Sequence, residues 1–65
     1  MFQFTIGTTA FEWNGLHTVN VWDMGMASWD EWEEIDVFSL DYSHDNHTRL
    51  DAMAAALEWL ETANV

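Results

Sequence analysis

The sequence predicts an α+β domain over residues 1–65. It is a small antiparallel three-stranded meander packed against one C-terminal helix, with a short helical turn before the third strand. Three observations carry this reading. Phe2, Phe4 and Ile6 alternate with Gln3 and Thr5, the period of a strand with one buried face. Asn14-Gly15 stands between two apolar stretches, and both residues tolerate the positive φ of a type I′ hairpin turn. From Thr48 to about Ala63, Leu50, Met53, Leu57 and Leu60 recur at the i, i+3, i+7 spacing of a helix.

The first strand starts at Phe2 and ends near Trp13. A two-residue turn at Asn14-Gly15 then pairs Trp13 with Leu16, Phe11 with Thr18 and Ala10 with Val19. On that register Phe4, Ile6, Ala10, Val19 and Val21 share one face, and Phe11, Trp13, Leu16 and Trp22 share the other. Both faces are partly apolar, so either a bulge near Gly7-Thr8-Thr9 reassigns the parity or the second face is covered too. The second strand runs from Leu16 to Met24, and Met24-Gly25-Met26-Ala27 is a connection. Ser28-Trp29-Asp30-Glu31 fits a capping box, with Ser28 as N-cap, and opens a helical turn from Trp29 to about Glu34. Ile35 to Tyr42 is the third strand, with Phe38, Leu40 and Tyr42 pointing one way and Ile35 and Val37 the other. Ser43 to His47 is a polar loop in which Asp45 or Asn46 can cap the helix. Ala52, Ala56 and Trp59 widen the helical apolar stripe, and Asp51, Glu58, Glu61 and Thr62 lie opposite.

Charge is the main functional clue. Twelve residues are Asp or Glu, there is no lysine, and Arg49 is the only arginine, so the net charge is −11. One-sign fields of this size oppose compaction. A chain of 65 residues also has a marginal core. With no cysteine, it has neither disulfides nor thiolate metal ligands. The five tryptophans and 49% apolar residues argue against acidic disorder. Nothing resembles a signal peptide or a spanning segment, so the expected compartment is the cytoplasm, of a host cell if the protein is viral. A charge of −11 also argues against direct nucleic-acid binding and against anionic membrane surfaces.

The acids are segregated. Met1 to Asn20 holds only Glu12 among the acids, whereas Asp30, Glu31, Glu33, Glu34 and Asp36 crowd into seven residues, with Trp29 just before them and Trp32 among them. On a strand, Glu34 and Asp36 would stand on one side about 6.6 Å apart. Asp51 and Glu58 would form a second row on the helix, two turns or about 10.5 Å apart. Such rows present a phosphate-like surface to a basic groove, and one of the tryptophans would serve as the apolar anchor. A solvated face kept for solubility would carry the same run of charge, whereas a general adaptation to high salt would spread it more evenly. Glu58 and Glu61 sit where the helix macrodipole prefers cations, and Arg49 where it prefers anions. Arg49 is expected to pair with Asp45 or a strand carboxylate.

Other chemistry is thin. His44-Asp45-Asn46-His47 could offer metal ligands but reads better as a capping loop, and His17 reads as a cross-strand partner of Glu12. No metal or cofactor is expected. There is no phosphate loop or catalytic motif, and the chain has little room for a pocket, so an enzyme is not expected. The sequence points to a nucleic-acid-mimicking inhibitor that fills the basic cleft of a nuclease, restriction enzyme, CRISPR effector, DNA glycosylase or transcription factor. In size and charge it looks like the small inhibitors that viruses and mobile elements encode. The alternatives are an adaptation to high salt, and a homodimeric interaction module joined through Phe11, Trp13, Leu16 and Trp22.

Overall fold

Four strands and one helix make up the fold in the computed structural model, which describes residues 1–25 and 32–63. The strands are β1 (Phe2–Ile6), β2 (Thr9–Trp13), β3 (Thr18–Asp23) and β4 (Glu33–Ser39), and the helix is α1 (Arg49–Ala63). They form one antiparallel sheet in chain order, with α1 on one face. The α+β class and the C-terminal helix agree with the sequence reading. The strand count does not, because the stretch read as one long strand folds at Gly7-Thr8 into two.

Gly7 supplies the reason. Ile6 pairs with Thr9, leaving a two-residue turn, and Gly7 has φ 62° while no non-glycine residue among those described is at positive φ. Positive φ at the first central position alone fits a type II′ hairpin. Asn14 does not adopt the positive φ that type I′ requires. Its side chain Oδ1 instead accepts from the N–H groups of Leu16 (2.8 Å) and Thr18 (3.2 Å), an Asx-type turn. The loop is therefore longer than two residues, and Trp13 pairs with Val19, Phe11 with Val21 and Ala10 with Trp22.

This register redraws the faces. Phe2, Trp13, Val19 and Phe38 line up across the sheet, as do Phe4, Phe11, Val21 and Asp36. Both rows face α1. Phe11, Val19 and Val21 are fully buried there, with Trp13 and Leu40 beside them. Phe4 stacks on Phe11 at 5.2 Å, and the Trp59 ring meets Phe11 edge-on at 6.0 Å. Phe11 and Trp13 therefore cannot form the dimer face expected with Leu16 and Trp22. Ala10 is buried on the opposite side of the sheet, beside its cross-strand neighbour Trp22.

The helix seats its alanines on the sheet and turns Leu50 and Leu57 outward. Ala52 and Ala56 are fully buried, and Ala55, Trp59 and Leu60 pack beside them, whereas Leu50 is 76% and Leu57 52% exposed. Aromatic side chains rising from β1 and β2 already fill the space between the layers. Small alanines then let the helix backbone approach. Thr48 caps the helix, not Asp45 or Asn46. Its Oγ1 accepts from the Asp51 N–H (3.3 Å), and its own N–H donates to Asp51 Oδ2 (2.8 Å), a reciprocal capping box.

Candidate acidic docking site

Of the two rows of carboxylates foreseen in the sequence, that of Glu34 and Asp36 is broken by one irregularity in β4. Val21 pairs with Asp36 but its neighbour Trp22 pairs with Glu34, so Ile35 is an extra residue, a β-bulge. Adjacent residues of β3 point to opposite faces, and their partners inherit the split. Glu34 and Asp36 thus fall on opposite sides of the sheet, not in one row. Glu34 accepts a 3.3 Å bond from Asn20 Nδ2 on the face away from the helix. Asp36 reaches the helix, accepting a 2.7 Å bond from Trp59 Nε1 and a 2.8 Å bond from the Val37 N–H. These bonds, the Trp59 one first, hold its carboxyl below the ordinary aspartate value.

Glu33 is exposed at the start of β4, so the expected helical turn does not extend to Glu33 and Glu34. Trp32 is half-buried just ahead of the strand. Trp29, Asp30 and Glu31, with the capping box opened by Ser28, lie outside the described residues.

Asp51 and Glu58 do share one flank of α1, as the spacing predicts. They border a depression of about 340 Å³ between the helix and the β4–α1 connection, with Asp41, His44 and His47 on its other side and Leu40, Ala54 and Ala55 in between. A second depression, of about 290 Å³, continues along Phe38, Ser39, Trp59 and Thr62 and shares Ala55 and Glu58 with the first. The two depressions adjoin along α1 as a groove, and Trp59, which lines the second, bonds Asp36. The chain is large enough for this groove because it is open to solvent and lies beside the core. Asp41 and Asp51 are both held below the ordinary value, chiefly by the backbone N–H groups of Ser43 and Thr48 respectively. They therefore stay anionic to lower pH than an ordinary aspartate.

Histidines gather at the same end. His17, on the loop after β2, pairs with Asp45 (Nε2 to Oδ1, 2.9 Å) and lies 3.1 Å from the His44 carbonyl, not against Glu12. The His44 and His47 rings are 4.4 Å apart, and His17 and His47 are 5.8 Å apart. His47 Nε2 donates to the Asp41 carbonyl at 2.7 Å. Sequence spacing gave no reason to join His17 to the other two. The β2–β3 loop and the β4–α1 connection meet only because β3 and β4 are neighbours. No grouping of His, Asp and Glu among the described residues has the geometry to hold a metal ion. The only arginine, Arg49, lies over the Phe2 ring at 4.9 Å and not against Asp45, whose Oδ1 His17 occupies. The acids of the groove thus face no lysine or arginine of their own.

No described helix is long and apolar enough to cross a membrane. Compared with protein-family models, with curated proteins and with solved structures, the chain matches none.

Proposed function

We propose that the chain is an acidic inhibitor that mimics nucleic acid and occupies the basic cleft of a DNA- or RNA-acting protein. The observation that carries this reading is the distribution of charge. Asp41, Asp51 and Glu58 line the depressions beside α1 and Asp36 bonds Trp59, which lines the second of them, while the single arginine is engaged on the Phe2 face. A surface of this kind attracts the Lys and Arg side chains that normally hold phosphates, steers association and weakens as salt rises. The bulge extends the display, since Glu34 adds charge on the opposite face of the sheet. The reading involves no catalysis and no direct contact with nucleic acid.

The test is capture from a bacterial lysate at low salt, with a rising salt gradient and mass spectrometry of what is released. One nucleic-acid enzyme or regulator released late, and released early from a Glu33→Gln, Glu34→Gln, Glu58→Gln variant, supports the proposal. A mixture of basic proteins leaving together at modest salt would describe a nonspecific polyanion and defeat it.

A further inference from the structure

The groove leaves the outer face of α1 unexplained. Leu50, Met53 and Leu57 are 76%, 38% and 52% exposed, although they carry the helical period that ordinarily marks a buried face. The alanines have taken the core position, so this stripe contributes little to folding. Clustered exposed apolar residues of this kind mark interaction sites.

We propose that the stripe seats an amphipathic, basic helix of the partner, an inference that rests on the docking reading above. Charge complementarity selects this occupant. Glu61 lies four residues beyond Leu57 and so next to it on the helix surface, and Glu58 follows directly on the groove side. Both are in the last turns of α1, where the helix dipole is negative and no basic residue balances it. A helix with leucine-like residues on one face and lysine or arginine along its margins would bury the stripe and satisfy those acids together. A second copy of this chain would bring another charge of −11 and set Glu61 against acids.

The test uses two labelled synthetic peptides of identical Leu and Lys composition, one patterned as an amphipathic helix and one scrambled. Anisotropy titrations would be run at about 0.05 and 0.5 M NaCl. The patterned peptide is expected to bind at least tenfold more tightly, with the advantage persisting at high salt. A Leu50→Gln, Met53→Gln, Leu57→Gln variant should lose that advantage while keeping the circular dichroism of the parent, since all three side chains are exposed. Equal binding of the two peptides, or an unchanged variant, would overturn the stripe while leaving the acidic surface intact. Failure of both peptides to bind at low salt would remove the docking reading and the stripe with it. A dimer in sedimentation equilibrium that the same variant converts to monomer would make a second copy the occupant and also overturn the proposal.

Discussion

Trp59 ties the helix to the sheet through two contacts. Its ring packs edge-on against Phe11 in the core, and its Nε1 donates to Asp36 at the bulge. Replacing it with Phe keeps most of the ring contact and removes the donor. The Asp36 carboxyl should then titrate higher, stopping short of the ordinary value because the Val37 N–H still bonds it. An aspartate whose folded pKa lies below its unfolded value stabilises the fold above that unfolded value, about 3.9. The contribution is lost as the pH falls through the folded one. Asp36, Asp41 and Asp51 all have this sign. The parent should therefore begin to lose stability only below about pH 4, and Trp59→Phe should unfold at a higher pH. Following the Asp36 side-chain carboxyl by NMR decides this, and an unchanged titration would mean the indole bond is not made in solution.

The helix gives the element-scale prediction. Ala56→Leu should cost about 1–3 kcal/mol, because a larger side chain must enter a filled space between helix and sheet. Leu57→Ala should change stability by no more than about 0.5 kcal/mol, as for a surface site. Urea denaturation of both variants checks the orientation; a helix seated on its leucines would reverse the pattern, with Leu57→Ala costing about 2–5 kcal/mol. That reversed picture is what periodicity alone suggests, and it shows where the sequence stops being legible. The existence and extent of α1 follow from local pattern, which the chain carries in full. Its rotation depends on how much space Phe2, Phe4, Phe11 and Trp13 fill, which is a property of the sheet. The same holds for the strands. Alternation revealed β1, but the pattern near Gly7-Thr8-Thr9 is open to a bulge or to a covered second face where the glycine in fact turns a hairpin, and a strong Asn14-Gly15 signal puts the register three residues off. The T-x-x-D box at Thr48 is the capping signal that the helix uses, ahead of Asp45 and Asn46. At the site, the shared flank of Asp51 and Glu58 was legible from helix spacing. The separation of Glu34 from Asp36 was not, because a bulge arises from the pairing of two strands. Nor was the part of Asp41, whose place in the groove depends on how the connection folds back against α1.

Across the whole molecule the acids have little room to avoid one another. Its extents are 36 × 27 × 16 Å, so carboxylates on the helix and on the far sheet face are separated by about the thickness of two layers. Two unit charges 10 Å apart in water repel by about 0.4 kcal/mol, and a net charge of −11 multiplies such pairs. The Debye length falls from about 30 Å at 0.01 M salt to about 10 Å at 0.1 M. At the lower ionic strength nearly every acid in the molecule feels the others, and at the higher one only neighbours do. Stability should therefore rise with added NaCl, by on the order of 1–2 kcal/mol, with most of the gain reached by about 0.2 M. The unfolded chain spreads the same charges further apart, so screening favours the folded state. Sodium sulfate strengthens apolar burial as well as screening. A true screening effect is thus one in which chloride and sulfate agree at equal, low ionic strength and part only at higher salt. Urea midpoints measured in both salts make the comparison. A flat response would mean that bonds such as those at Asp36, Asp41 and Asp51 already compensate the charge locally. The protein would then lack the uncompensated field on which a nucleic-acid mimic depends, whatever its partner. A rise confined to low salt would show that the fold tolerates a field it does not need for its own stability, which leaves that field free to act on another molecule.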